Sequence, residues 1–323
     1  MDRPVTVACV QAEPVVLHRE RTLDRLEERA AEAARNGAEL VVFPETFVPV
    51  YPSSRWAKAF AGWQNEGAKE TFARIAQNAV AVGSPAEHRL GAVAKELGVW
   101  LVTGVNEIEA ERPGTIYNSL LYHAPDGSLA LHHRKLVPTN HERLIWGQGD
   151  GRGLHAVQTG FGRIGGLICW ENYMPLARFA LYESGVEIYV ACTADDSDAW
   201  QSTLVHIARE SRAYVVSPCH FQRASAYPDD FPLRAELDGA DLLGHGGSAI
   251  LAPDGSYLAG PLYEEEGILY AELDPSRLLA ERQRFDPVGH YNRPDVLQLS
   301  LSPAARADGA TSSTRPSAQS DRL

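Results

Sequence analysis

A cysteine occupies the junction between two sequence patterns, where a thiol can act as a nucleophile. The short apolar run at residues 164–168 predicts a buried strand, and Pro175 precedes a helical pattern at residues 176–183. Cys169 lies between them, so we expect its thiol at the end of a strand and near helix N-terminal amides, which favour the thiolate. The alternative is that Cys169 is an inert packing residue.

Two more segments place a charged residue just after a predicted strand. The apolar run at residues 40–43 is followed by Pro44 and the carboxylate Glu45, and Lys135 ends a basic stretch after a predicted hairpin strand. Functional groups in open α/β sheets collect beyond the carboxyl ends of strands, which would bring these side chains near Cys169. On pattern alone, Glu45 could be a solvated loop residue and Lys135 part of an exposed basic patch.

The alternation of short apolar runs with amphipathic stretches predicts an α/β fold. Predicted strands lie at residues 5–11, 40–43, 99–105, 117–123, 129–133, 164–168, 186–191, 214–217 and 248–251. Predicted helices lie at residues 20–36, 66–80, 86–97, 176–183 and 200–213. The sequence Ala-Pro-Asp-Gly occurs at residues 124–127 and again at 252–255, which indicates two similar hairpins in a pseudo-symmetric arrangement.

The composition restricts the class of protein. The chain has 323 residues, of which 44% are hydrophobic and 22% charged, enough to build a sizeable core. A formal net charge of −12 argues against nucleic-acid binding, which needs a basic face. No apolar run is long enough to span a bilayer and the N-terminus lacks a signal-peptide pattern, so we expect no membrane association and a cytoplasmic location.

The remaining cysteines and the end of the chain give two further expectations. No C-x-x-C pair or ligand spacing indicates a metal site, and Cys9, Cys192 and Cys219 are expected to be packing residues. No linker is evident before residue 300, so we predict one domain over residues 1–301. Residues 302–323 have almost no large apolar side chains and are expected to form a disordered tail.

Taken together, the three chemically active segments resemble the nitrilase (carbon–nitrogen hydrolase) superfamily, whose catalytic triad is Glu, Lys and Cys. The segments that carry the resemblance are Phe43-Pro44-Glu45-Thr46, His133-Arg134-Lys135-Leu136 and Cys169-Trp170-Glu171. Residues 144–151, 169–176 and 289–295 are similar to segments of the true nitrilase branch rather than its amidase relatives. The resemblance extends from the first strand to about Leu299.

The resemblance implies a four-layer α-β-β-α sandwich in which Glu45, Lys135 and Cys169 converge. Cys169 would be the nucleophile, Glu45 the base that takes its proton, and Lys135 the cation that stabilises charge on the substrate nitrogen. Glu142 would be an additional active-site carboxylate that orients Lys135 or the water. From the residues alone, a surface glutamate paired with Arg143 is an equal alternative for Glu142.

Two more residues complete the predicted site. The backbone N–H of Trp170 would be a second donor to the developing charge, as in related enzymes. Tyr51, in the segment 48–56 that follows Glu45, is expected to help shape the substrate pocket. A surface loop with packed aromatic residues is an equal alternative for that segment.

The predicted reaction is hydrolysis of an organic nitrile to the carboxylic acid and ammonia, through a thioimidate and a thioester on Cys169, with no metal or other cofactor. Cyanide hydratases and dihydratases, which use the same triad, are the nearest alternative, and an aliphatic amidase is a more distant one. A non-catalytic scaffold would have no need of the intact set of Glu45, Lys135 and Cys169. The resemblance also implies a homodimer or a larger spiral homo-oligomer.

Overall fold

The computed structural model describes residues 1–302, which form thirteen strands, seven α-helices and five short 3₁₀ helices. The strands are β1 (Val5–Gln11), β2 (Leu40–Val42), β3 (Trp100–Glu109), β4 (Arg112–His123), β5 (Leu129–Arg134), β6 (Val157–Gln158), β7 (Arg163–Gly166), β8 (Ile188–Val190), β9 (Tyr214–Ser217), β10 (Phe221–Arg223), β11 (Leu242–Leu251), β12 (Tyr257–Tyr263) and β13 (Gly267–Leu273). The helices are α1 (Arg19–Arg35), α2 (Ser54–Ala57), α3 (Glu66–Asn78), α4 (Pro85–Leu97), α5 (Pro175–Glu183), α6 (Asp198–Ser211) and α7 (Pro275–Arg284). The 3₁₀ helices are Lys58–Ala61, Asn140–Leu144, Cys169–Tyr173, Ala224–Ala226 and Arg234–Leu237.

The strands form two sheets with the same arrangement of parallel and antiparallel strands. The first sheet has the order β13-β1-β2-β3-β4-β5, and the second has the order β10-β11-β9-β8-β7-β6, with β12 paired to β11. Three central strands are parallel in each sheet, β1 to β3 in the first and β7 to β9 in the second. Antiparallel strands flank each parallel set. The predicted pseudo-symmetric arrangement is confirmed.

Three of the apolar clusters divide the molecule into four layers. One cluster lies between the sheets and takes side chains from both, such as Val7 of the first and Ile188 of the second. Another packs α1 and α4 against the outer face of the first sheet, and a third packs α5 and α6 against the outer face of the second. Because neighbouring strand residues face opposite ways, Val42 joins the inner cluster while Val41 joins an outer one. The predicted α-β-β-α sandwich is confirmed.

Helix α1 illustrates how the sequence builds an outer layer. Its buried residues Leu23, Leu26 and Ala30 recur every three or four positions, so they share the face that packs on the sheet. The helix ends just before Gly37, whose φ of +86° lies in the left-handed region that glycine enters without strain. The helix predicted over residues 20–36 is confirmed to within a residue at each end.

The two Ala-Pro-Asp-Gly sequences form the same turn. In each turn the alanine N–H donates to a serine carbonyl, at 2.9 Å from Ala124 to Ser128 and at 2.8 Å from Ala252 to Ser256. The turns join β4 to β5 and β11 to β12, which gives one hairpin in each sheet. The predicted pair of hairpins is confirmed.

The structure differs from the prediction just before the candidate nucleophile. Strand β7 ends at Gly166, two residues earlier than predicted, and the 3₁₀ helix Cys169–Tyr173 separates it from α5. The Glu171 N–H donates to the Ile168 carbonyl at 3.1 Å, so the chain already turns at Cys169. Cys169 is thus the first residue of this 3₁₀ helix, and α5 begins only at Pro175.

The predicted C-terminal tail, residues 302–323, lies outside the described residues from residue 303 onward. The domain boundary at residue 301 therefore stays a prediction. No helix within residues 1–302 combines the length and apolar character needed to cross a membrane.

Cys9, Cys192 and Cys219 are buried free thiols, as expected of packing residues.

Candidate active site

Glu45 lies in the loop after β2, where the backbone passes close over the first sheet. Gly104 of β3 makes this approach possible, because a Cβ there would overlap the Pro44 carbonyl oxygen and lie 2.8 Å from the Cα of Glu45. Asn118 Nδ2 donates to Oε1 of Glu45 at 2.6 Å. Oε2 of this fully buried side chain has no hydrogen-bond partner among residues 1–302. One carboxylate oxygen is therefore held in place while the other is free to accept a proton.

Lys135 follows β5 and joins two carboxylates. Its Nζ donates to Oε1 of Glu45 at 2.9 Å and to Oε2 of Glu142 at 2.7 Å. The centroid of the Trp146 ring lies 5.8 Å from the same nitrogen. The side chain is completely buried, so the ammonium is stabilised by these carboxylates instead of by water.

Glu142 is buried beside Lys135 rather than exposed on the surface. The Tyr51 hydroxyl donates to its Oε1 at 2.8 Å, and the Thr139 backbone N–H donates to its Oε2 at 2.6 Å. The neighbouring Arg143 donates from Nε to the carbonyl of Pro138 at 3.0 Å. The alternative of a surface pair between Glu142 and Arg143 is therefore wrong.

Cys169 begins its 3₁₀ helix in a strained conformation. Its φ is +52°, and the left-handed region costs a non-glycine residue about 1–3 kcal/mol. The Cys169 N–H donates to the Cys192 carbonyl at 2.8 Å, and the Asn172 side chain donates to the Cys169 carbonyl at 2.9 Å. The Thr193 hydroxyl donates to Sγ at 3.2 Å. These contacts fix the direction of a thiol that is almost fully buried.

Burial and the neighbouring charges set the ionisation of the cluster. Burial raises the pKa of the Glu45 carboxyl, and the Lys135 charge opposes this only in part. Burial alone would lower the pKa of Lys135, but Glu45 and Glu142 together raise it, so the ammonium stays charged. Burial also raises the pKa of the Cys169 thiol, and the Glu45 charge adds to this effect. The expectation of a thiolate stabilised by helix amides is therefore wrong, and the thiol needs a base.

Trp170 and Tyr51 border this cluster in different ways. The Trp170 side chain is 50% exposed and its Nε1 donates to Asp195 Oδ2 at 2.7 Å, while its backbone N–H meets no acceptor within residues 1–302. The Tyr51 ring centroid lies 5.9 Å from that of Trp146 and 5.3 Å from that of His220. Tyr51 thus packs against aromatic rings and bonds to an active-site carboxylate, so its loop is not a surface loop.

Sequence reasoning missed three polar residues that contact the cluster. Asn118 binds Glu45, Thr193 donates to Sγ of Cys169, and His220 Nε2 donates to the backbone carbonyl of Glu45. Asn118 carried only a weak signal, because β4 also contains the polar residues Thr115, Ser119 and His123. Thr193 carried a similar signal just after the apolar run of β8, whereas nothing in the sequence distinguished His220.

The arrangement combines a buried thiol, a carboxylate with one free oxygen, and a charged ammonium. Such a set can deprotonate the thiol for attack on an electrophilic carbon and can stabilise the negative charge that develops on the attacked group. Among the residues described, no three His, Cys, Asp or Glu side chains are placed to share a metal ion.

Comparison with known proteins assigns the family. Residues 6–283 match the carbon-nitrogen hydrolase family. The chain belongs to this family. This carbon-nitrogen hydrolase is 41% identical over 302 residues to Nitrilase 1 of Arabidopsis thaliana, covering 92% of this chain and 86% of that protein. It is 42% identical over 292 residues to an aliphatic nitrilase of Sinorhizobium fredii (strain HH103), covering 90% of this chain and 94% of that protein.

The fold of this carbon-nitrogen hydrolase also occurs in solved structures. The carbon-nitrogen hydrolase from Helicobacter pylori G27 superposes with a TM-score of 0.70 at 21% sequence identity. The match covers 91% of this chain and 96% of that chain. At this identity the likeness concerns the fold, and it agrees with the α-β-β-α layers described above.

Proposed function

We propose that this carbon-nitrogen hydrolase is a nitrilase, which hydrolyses an organic nitrile to a carboxylic acid and ammonia. The observation that carries the proposal is the identity of about 40% to proteins named as nitrilases over most of the chain. The buried cluster of Glu45, Lys135, Glu142 and Cys169 supports it, because each group has a distinct task in nitrile hydrolysis. We propose these four residues as the catalytic machinery.

The first half of the reaction attaches the substrate to the enzyme. Glu45 takes the proton of Cys169, and Sγ forms a bond to the nitrile carbon while one electron pair of the C≡N bond moves to nitrogen. Lys135 donates to that nitrogen as its charge develops, and the Trp170 backbone N–H is a second donor. Return of the proton to nitrogen gives a neutral thioimidate.

The second half releases ammonia and then the acid. Water, deprotonated by Glu45, adds to the thioimidate carbon and gives a tetrahedral intermediate. The protonated nitrogen leaves as ammonia and a thioester remains, which a second water hydrolyses to the acid and the free Cys169 thiol. If the C–S bond breaks in place of the C–N bond, the amide is released instead.

The burial of the site supports this chemistry. Lys135, Glu45 and Glu142 are each at most 1% exposed, so the charges act through protein rather than through water. Electrostatic stabilisation of developing charge is strongest in such a water-excluded environment, where the donors are already oriented. Glu142 and Tyr51 orient Lys135 in this proposal, because Tyr51 binds the carboxylate oxygen that Lys135 does not.

The assembly of the enzyme is a proposal from the resemblance, and its location is a proposal from the sequence pattern of the N-terminus. We propose a homodimer or a larger spiral homo-oligomer that acts in the cytoplasm on a small-molecule nitrile. Sedimentation velocity over a range of concentrations tests the assembly, and a monomer at every concentration would contradict it.

The reaction class is tested by ammonia release from a panel of substrates. The panel contains aliphatic, aromatic and arylacetic nitriles, free cyanide and the amides that correspond to the nitriles. We expect ammonia and the carboxylic acid from at least one organic nitrile. Turnover of amides alone would indicate an amidase, and turnover of cyanide alone would indicate a cyanide hydratase or dihydratase.

A further inference from the structure

A buried carboxylate links the segment that carries Lys135 to the segment that carries Cys169. Oε2 of Glu171 accepts from the Ile168 backbone N–H at 2.9 Å, and its Oε1 accepts from the Leu136 backbone N–H at 2.8 Å. Ile168 immediately precedes Cys169 in the chain, and Leu136 immediately follows Lys135. One side chain therefore bonds to the backbone next to each of two proposed catalytic residues.

His133 is the third hydrogen-bond donor to this carboxylate. Its Nε2 donates to Oε2 of Glu171 at 2.9 Å, and both side chains are fully buried. Burial alone would raise the pKa of Glu171, but His133 and the two backbone donors lower it, so the carboxylate stays ionised. An ionised carboxylate with three donors occupies a defined position, since each donor constrains a different direction.

We propose that Glu171, held by His133, is a positioning residue that keeps Lys135 and Cys169 in register for catalysis. This inference rests on the proposed nitrilase function. It does not make Glu171 a proton carrier, because both of its oxygens are already occupied by donors.

The topology explains why such a link is needed. Lys135 follows β5 of the first sheet, whereas Cys169 follows β7 of the second sheet, so the two residues reach the site from opposite layers. The φ of +52° at Cys169 is stable only where the surroundings hold it. Glu171 supplies one such restraint through its hydrogen bond to Ile168. The same carboxylate also binds Leu136, which follows the first sheet, so it fixes the Cys169 segment relative to that sheet.

The first test is Glu171→Gln, which keeps the size of the side chain but replaces one acceptor oxygen by a donor nitrogen. A misplacement of about 1 Å between reacting groups costs about 100-fold in rate, so we expect kcat to fall by about that factor. KM should change by less than about twofold, because Glu171 does not touch the substrate in this arrangement.

The chain contains a matched control pair outside the site. His123 Nε2 lies 2.7 Å from Oε1 of Glu87, both side chains are buried, and Glu87 also accepts a backbone N–H, that of Gly83, at 3.0 Å. Glu87→Gln therefore makes the same chemical change in a buried Glu–His pair between α4 and β4. We expect both variants to lower Tm, but only Glu171→Gln to lower the kcat of the folded protein.

Alkylation of Cys169 by iodoacetamide gives a readout that does not depend on turnover. The Lys135 charge lowers the pKa of Cys169, so moving Lys135 away should shift the alkylation profile to higher pH. Loss of the Glu171 negative charge by itself would shift the profile to lower pH. The direction of the shift in Glu171→Gln therefore separates a positional effect from a purely electrostatic one.

Substitutions at His133 test the other half of the pair. His133→Gln retains a donor for Glu171 and should keep more of the wild-type kcat than His133→Leu, which has none. The inference is overturned if folded Glu171→Gln retains wild-type kcat and alkylation profile, or if Glu87→Gln lowers kcat equally. A wild-type protein that turns over no nitrile would refute the proposed function instead, while the alkylation profiles would still decide the positioning role.

Discussion

The Lys135 ammonium lies 2.9 Å from Oε1 of Glu45, while Oε2 of the same carboxylate is buried with no hydrogen-bond partner among residues 1–302. Oε1 also accepts from Asn118, so its lone pairs are engaged. The asymmetry assigns the two oxygens different tasks. One fixes the position of the carboxylate, and the other is available for the proton of Cys169.

Glu45→Gln tests the assignment of the base. Glutamine is nearly the same size and can still accept hydrogen bonds at one oxygen, but its amide cannot take up a proton. We expect kcat for nitrile hydrolysis to fall by about 10²–10⁴-fold, the usual contribution of a general base. Glu96→Gln, on the exposed side of α4, is the control and should keep full activity. A folded Glu45→Gln enzyme with wild-type kcat would contradict the assignment.

Tyr51 should act on the reaction only through Glu142. Tyr51→Phe removes the hydrogen bond to Oε1 of Glu142, and we expect kcat to fall about 10-fold, while Glu142→Gln should cost about 100-fold because it weakens the hold on Lys135. In a double-mutant cycle, adding Tyr51→Phe to Glu142→Gln should have little further effect. If Tyr51→Phe lowers kcat equally in both backgrounds, Tyr51 instead contacts the substrate.

Gly104→Ala tests whether the close approach of the Glu45 loop to β3 matters. The added Cβ would lie 2.5 Å from the Thr46 backbone nitrogen and would overlap Pro44, so the loop must move. We expect a loss of about 1–3 kcal/mol in the free energy of unfolding, together with a large loss of kcat. Gly114→Ala in β4 is the control, because its Cβ meets no atom within 4 Å. Equal activity of the two variants would show that the approach is unimportant.

The buried Glu107 should make stability depend on pH. Burial alone would raise its pKa, but hydrogen bonds from His132 and Arg134 lower it to about 2, whereas an unfolded glutamate has a pKa of about 4.3. Because the folded pKa is the lower one, its contribution to stability is complete above about pH 5 and is lost as the pH falls toward 2.

Glu107→Gln measures this contribution. At pH 7 we expect it to lower the free energy of unfolding by about 3 kcal/mol, because Arg134 loses its most buried partner. Urea unfolding at pH 7 and at pH 3 should show a smaller difference from wild type at the lower pH. Glu109→Gln, at the more exposed partner of Arg134, should cost no more than about 1 kcal/mol. A difference that stays the same at both pH values would rule out this origin.

The fold followed largely from local pattern. The amphipathic spacing of α1 and the repeated Ala-Pro-Asp-Gly turns are local signals, and the structure retains both. The 3₁₀ helix at Cys169 could not be predicted in this way, because it depends on contacts between residues distant in the chain, such as those of Glu171 with Leu136 and of Cys169 with Cys192. Local sequence favours a strand that continues to residue 168, and tertiary hydrogen bonds determine where the chain turns.

The sequence motifs predicted which residues form the site, but they did not predict the burial or the ionisation of those residues. The sequence placed Glu45 and Lys135 after strands, and the structure brings them into direct contact. The sequence alone could not show that Glu142 is buried, because its burial depends on residues distant in the chain such as Tyr51. The pKa of Cys169 was predicted to shift in the wrong direction, since a helix-amide argument from sequence does not account for the burial of the thiol.

The most direct test of the account compares ammonia release from an organic nitrile by the wild type and by Cys169→Ala. We expect Cys169→Ala to fold normally and to lose at least about 10⁴-fold in kcat, because no thioimidate can form. Cys9→Ala, a matched change at a buried thiol in the core between the sheets, should retain activity. Nitrile turnover by Cys169→Ala at a rate close to that of the wild type would contradict the account.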